Sequence, residues 1–172
     1  MPKDAIGTSL LRYQLPDALG ALELAPNVIS HFEAHKQRTF LAREAGGQLF
    51  ASFQNPTVML VSDITGPRPT DRRSMNSYEP DRIAEKAEIR ERFARDLHFV
   101  GDWHTHRQRI PKPSERDEHS IRESVLLSSH DLAGFILVVV GQVAFPEGLH
   151  VSFHSKSGSA LLVPLADVAQ DR

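Results

Sequence analysis

Cysteine is absent from the 172 residues of the chain. Its absence excludes disulfide staples, thiolate metal sites and cysteine nucleophiles together. The zinc deaminases go with them, because their ion needs a C-x-x-C pair. The H-E-x-x-H pattern of helical zinc proteases is missing too. Charge is nearly balanced, at a formal net −2, which gives no support to nucleic-acid binding through phosphate neutralisation. Residues 1–7 hold no apolar core of the kind a signal peptide needs. The longest apolar run, Gly134 to Phe145, is broken by Gly141 and Gln142. It is too short to span a bilayer and reads as a buried strand. The expectation is a cytoplasmic protein with neither membrane nor nucleic acid as partner.

What remains is ordinary globular material, 40% hydrophobic and 24% charged. The length suits a single domain over residues 1–172 with a core from about residue 10 to 166. Pro26 opens a helix in which Val28, Ile29, Phe32 and His35 recur at helical spacing, to about Gln37. His31 and His35 on it read as surface or half-buried residues. Further helices are expected over Asp81 to Leu97, with Ile89, Phe93 and Leu97 as the apolar stripe, and from Glu115 to about Ser129. Strands are expected at Leu10–Leu15, at the end of Phe40–Phe53, at Thr57–Ser62, at Phe135–Val140, at Leu149–His154 and at Leu161–Leu165. Ile64 to Pro80, with Arg68, Arg72 and Arg73, is expected to be a long irregular loop. Its arginines read either as solvated surface or as a contact strip for an extended peptide. His130, His150 and His154 lack ligand spacing and read as ordinary polar residues.

One stretch carries chemistry. Gly101-Asp102-Trp103-His104-Thr105-His106 is followed by seven residues and then Ser114-Glu115-Arg116-Asp117, an H-x-H-x7-S-x-x-D pattern. Leu97 to Val100 and Trp103 suggest a strand running into His104, which would present the rings of His104 and His106 on one face. Zinc accepts imidazole nitrogen and carboxylate oxygen and, in catalytic sites, leaves one position for water. Asp117 is the natural third ligand, brought back by a loop holding Pro111 and Pro113. Ser114-x-x-Asp117 is also a capping-box pattern, which places both residues at a helix start facing the ion. Upstream, Glu44 stands just ahead of Gly46-Gly47, a pair implying tight backbone or a sharp turn. Glu44 reads either as a solvated loop carboxylate or as a general base beside the metal.

Taken together, Glu44, His104, His106, Ser114 and Asp117 resemble the motif of the JAMM family, also called MPN-plus metalloproteases. Glu44-x-x-Gly47-x-Leu49 looks like the family's E-x-x-G-x-L. The stretches Thr65 to Pro69, Arg72 to Ser74, Tyr78 to Asp81 and Gly101 to His106 resemble the small bacterial JAMM proteins encoded beside E1-like and E2-like genes in CBASS and Bil antiphage operons. Many relatives have proline after the second histidine, where Arg107 stands here. The resemblance implies an α/β fold, a curved, mostly antiparallel sheet flanked by helices. It implies one zinc ion per chain on His104, His106 and Asp117, Glu44 as general base then acid, and Ser114 as oxyanion stabiliser. The implied reaction cleaves isopeptide or peptide bonds after the C-terminus of ubiquitin or a ubiquitin-like protein, with that protein, its conjugates and the E1-like and E2-like proteins as partners. The rival readings are a JAMM peptidase trimming a sulfur-carrier-like protein and a non-catalytic MPN scaffold.

Overall fold

The computed structural model describes residues 9–166; apart from Ser9, the loose end expected for residues 1–9 lies outside the described residues. In chain order the elements are β1 (Leu11–Gln14), β2 (Ala21–Leu24), α1 (Pro26–His35), β3 (Gly46–Ser52), β4 (Val58–Ile64), β5 (Arg72–Arg73), β6 (Tyr78–Glu79), α2 (Arg82–Phe93), β7 (His98–Thr105), α3 (Glu115–Leu127), β8 (Gly134–Val140), β9 (Leu149–Ser155) and β10 (Gly158–Leu161). The large sheet runs β1-β2-β4-β3-β7-β8-β9-β10. Every pairing in it is antiparallel except β2–β4 and β7–β8. The sheet curls until its ends meet: Tyr13 bridges Pro164, and the Leu165 amide donates to the Arg12 carbonyl at 2.7 Å. This is the curved sheet with flanking helices that the family resemblance implies.

β8 sits centrally and every one of its residues is buried. Its alternation divides the core in two. Ile136, Val138 and Val140 face the larger cluster with Val28, Ile29 and Phe32 of α1 and with Trp103. Phe135, Leu137 and Val139 face Ile121 and Val125 of α3. Pro26 at the start of α1 costs no hydrogen bond, and its fixed φ suits the first turn.

Several elements differ from the sequence expectation, each for a physical reason. β2 is too short to carry periodicity and is defined by its partners β1 and β4. Inside the expected irregular loop, β5 and β6 pair over two residues, Arg72 with Glu79 and Arg73 with Tyr78. α2 stops at Phe93 because Asp96 adopts a left-handed conformation (φ 60°) and the Leu97 amide folds back onto the Arg92 carbonyl. Phe93 is exposed, so the expected apolar stripe is not the buried face; Glu85 is, at 6% exposure. That charged face is tolerated because Arg82 pairs with Glu85 and Arg68 pairs with Glu88. Arg92 reaches off the helix to Asp63 at 3.1 Å. The last strand is Gly158–Leu161 rather than Leu161–Leu165, set by the tight turn at Lys156-Ser157 that pairs Ser155 with Gly158.

Gly46 and Gly47 lie inside β3, not in a turn, and the tight-backbone reading holds. A Cβ on Gly47 would sit 1.9 Å from the Thr65 carbonyl oxygen, and one on Gly46 2.6 Å from the Tyr78 ring. Both glycines let the segment after β4 lie directly on the strand that pairs with β7. Gly47→Ala is expected to cost about 3 kcal/mol of stability, because backbone rather than a flexible side chain must yield. Denaturant unfolding checks this; an unchanged midpoint contradicts it.

Candidate metal centre and cleft

β7 delivers the two histidines as the sequence suggested. Asp102 and His104 project from the sheet face that carries Leu137 and Val139, their partners on β8. Trp103 and Thr105 project to the opposite face. Trp103 packs on Phe32, His31 and His35 of α1 and donates its indole N–H to the Thr65 carbonyl at 2.8 Å. His106 follows just beyond the strand, its amide still bonded to the Val140 carbonyl at 2.9 Å. Its Nδ1 lies 3.3 Å from Gln108 Oε1, which leaves Nε2 to the site.

The Ser114–Asp117 capping box forms. The Ser114 hydroxyl accepts from the Asp117 amide at 3.1 Å, and Asp117 Oδ2 accepts from the Ser114 amide at 2.7 Å. The start of α3 thereby fixes the carboxylate against the histidines. His104 Nε2 and His106 Nε2 are 3.1 Å apart, and each lies 3.1–3.2 Å from Asp117 Oδ2. In a tetrahedron with bonds of 2.0–2.1 Å to nitrogen and oxygen, neighbouring ligand atoms are about 3.3 Å apart. Two imidazoles and a carboxylate at this spacing could hold one ion. Burial disfavours the Asp117 carboxylate, but hydrogen bonds from His104 and His106 outweigh it and hold its pKa far below the usual carboxylate range. Burial likewise opposes charge on His106, yet Asp117 prevails and its pKa rises.

Glu44 lines the same open cleft, about 430 Å³ in volume, with His104, His106, Ser114 and Asp117. All five residues singled out in the sequence therefore come together. Glu44 is half-buried, and burial raises its pKa against the opposing pull of His104 and His106. Its backbone is clamped: its amide donates to the Ser74 carbonyl at 2.7 Å and its carbonyl accepts from Arg73 Nε at 2.6 Å. Of the loop arginines, Arg73 thus braces Glu44. Arg68 is buried against Glu88 and Asp71 rather than offered to a peptide. Arg107, which replaces the familiar proline, stacks 4.8 Å from the centre of the exposed Phe40 ring and donates to the Phe40 carbonyl at 2.8 Å. It shapes the cleft rim through Phe40.

Two residues of this face carried no signal in the sequence. His150 on β9 pairs with Val139, which pairs with His104, so the sheet register alone brings it near the centre. Its Nε2 is buried without a partner among the described residues, and its pKa is lowered by burial, then by His104 and His106. Asp102, two residues before His104 on the same face, lines the cleft, and its carboxylate has no hydrogen bond or ion pair among the described residues. Burial, reinforced by Glu85, pushes its pKa up to about 7.

The raised Asp102 value has a definite sign for stability. The folded protein keeps a proton that the unfolded chain releases near pH 4, so stability falls as pH rises from about 4 to 7. Asp102→Asn, which mimics the protonated form, is expected to stabilise the metal-free protein by on the order of 2 kcal/mol at pH 8. The gain should vanish below pH 4. Thermal unfolding across this range checks it; a gain independent of pH contradicts it.

Comparison with known proteins agrees with this geometry. The family described as prokaryotic homologs of the JAB domain matches residues 26–153. A Vibrio cholerae protein named CD-NTase/cGAS isopeptidase is 25% identical over 122 residues, covering 69% of this chain and 75% of its own. The solution structure of a Desulfitobacterium hafniense protein superposes with a TM-score of 0.56 at 16% identity, covering 80% of this chain and 87% of its own, which speaks to the fold alone.

Proposed function

The chain belongs to the family of prokaryotic homologs of the JAB domain, and from that premise we propose that it is a zinc-dependent JAMM-type isopeptidase built on a single domain. Its substrate would be a ubiquitin-like protein, cut after its C-terminus from a conjugate or precursor. The observation that carries the reading is the convergence of His104 Nε2, His106 Nε2 and Asp117 Oδ2 at 3.1–3.2 Å in one cleft with Glu44. The name of the Vibrio cholerae relative, an isopeptidase, supports the bond type. A setting beside E1-like and E2-like partners in an antiphage operon, in the cytoplasm, is part of the same proposal. Among the described residues no helix is long and apolar enough to cross a membrane.

His104, His106 and Asp117 would hold the ion, which when bound supplies Lewis acidity and acidifies a water. Glu44 takes a proton and returns it to the leaving amine, and burial, which raises its pKa, favours its holding the proton between the two transfers. The Ser114 oxygen already accepts from the Asp117 amide, so its O–H is left to donate to an oxyanion in the cleft. The cleft wall opposite includes Met75 to Pro80, around β6. An extended ubiquitin-like tail could add to this small hairpin as a strand.

Glu44→Gln is expected to keep about one zinc per chain and to lose at least about 10²-fold in turnover, whereas Asp117→Ala should lose the metal. Elemental mass spectrometry and cleavage of fusions to ubiquitin-like proteins check both. Turnover by Glu44→Gln at the wild-type rate would remove Glu44 from the reaction, and zinc-free wild-type protein after reconstitution would remove the metal.

A further inference from the structure

The residue between the two histidines faces away from the metal centre. Thr105 is fully buried on the α1 side of β7. Its hydroxyl accepts from the Ala45 amide at 2.9 Å and donates to Gln37 Oε1 at 3.0 Å. Its own amide donates to the Ala45 carbonyl at 2.8 Å. Thr105 therefore grips both backbone groups of the residue next to Glu44, while its neighbours on either side present the imidazoles.

Gln37 is the other half of the device. Periodicity would leave it as the last residue of α1, but the helix ends at His35 and Gln37 turns inward to zero exposure. Its Nε2 donates to the carbonyls of Ala42 (3.0 Å) and Met75 (3.1 Å). Its carbonyl accepts from Gln142 Nε2 at 2.9 Å, and the Gln142 amide in turn bonds to the Gln108 carbonyl beyond His106. The amide orientation follows from its partners, since both carbonyls need a donor and the Thr105 hydroxyl an acceptor. The Gln37 side chain thus joins the segment carrying Glu44, the turn at Met75 beside Arg73 and Ser74 and the H-x-H strand, while its backbone carbonyl reaches the loop after that strand through Gln142. Such a buried network costs much to leave half-satisfied and holds one arrangement when complete.

We propose that Thr105 and Gln37 are positioning residues that set Glu44 against His104, His106 and Asp117. They touch neither ion nor substrate, and their effect passes through the backbone of Ala45 and Ala42. The inference rests on the activity proposed above, in which Glu44 moves the proton. A misplacement of that carboxylate by about 1 Å can cost about 10²-fold in rate while leaving ligands and substrate contacts in place.

The test compares Thr105→Val, Thr105→Ser and Gln37→Leu with wild type. Zinc content, thermal unfolding, kcat and KM on a ubiquitin-like fusion, and amide exchange at Ala45 are measured. Thr105→Val and Gln37→Leu should lose about 10²-fold in kcat with KM and zinc content unchanged. Thr105→Ser, which keeps the hydroxyl, should restore turnover, and Ala45 should lose exchange protection in Thr105→Val alone of the two Thr105 variants. Unchanged kcat in both disrupting variants overturns the proposal. So does a parallel loss of zinc, KM and kcat, which marks a purely structural role. If Thr105→Val does not fold, Gln37→Leu and Thr105→Ser decide the matter by the same split. If zinc-loaded wild type cleaves no fusion, the proposed activity fails, and the Ala45 exchange pattern still decides whether Thr105 holds that segment.

Discussion

Side chains alternate along a strand, and on β7 that alternation separates two kinds of work. Asp102 and His104 point into the cleft, with His106 completing the pair just past the strand end. Trp103 and Thr105 point into the core and bind the strand to α1, to Thr65 and to Ala45. Shifting the register by one residue would exchange the sets, burying imidazoles and exposing an indole. The register is held on one side by β8, whose apolar residues must face both cores. On the other it is held by β3, where Gly46 pairs with His104 and Gly47 with Trp103. The placement of the two imidazoles is therefore largely a by-product of core packing.

The carboxylate of the candidate centre is fixed by different means. Asp117 belongs to the first turn of α3, where helix termini leave amides to satisfy. The capping box answers that need with Ser114 and Asp117, and the carboxylate oxygen used to cap is the one lying against both histidines. The cleft wall opposite owes its shape to Asp71. Its buried carboxylate accepts from the Arg68 amide, the Tyr78 hydroxyl and the Asp81 amide at 2.7–3.0 Å. Tyr78 is thereby laid over Gly46.

What the sequence made legible was local. H-x-H-x7-S-x-x-D lies within fourteen residues, and each of its parts obeys a rule of strand alternation or helix capping that needs no distant partner. α1 was legible from its spacing and from Pro26. Glu44 became more than a loop carboxylate only through the family resemblance, because sixty residues separate it from His104 and no periodicity links them. What was illegible depends on partners far along the chain. β2, β5 and β6 are too short to show a pattern by themselves. The buried face of α2 is charged because Arg68, twenty residues away, compensates Glu88. His150 and Gln37 became part of this region through register and chain reversal, which nothing in their neighbours announces.

The meeting of Tyr13 with Pro164 joins the two ends of the large sheet. Open sheet edges invite pairing with any extended chain, and self-association follows where they are long and apolar. Here β1 and β10 are four residues each, and their surroundings are engaged with one another through Arg12 and Leu165. The small hairpin beside the cleft is not so engaged with the large sheet. The ends of the main sheet are thus protected against indiscriminate strand pairing, and the two-residue hairpin beside the cleft forms a sheet of its own.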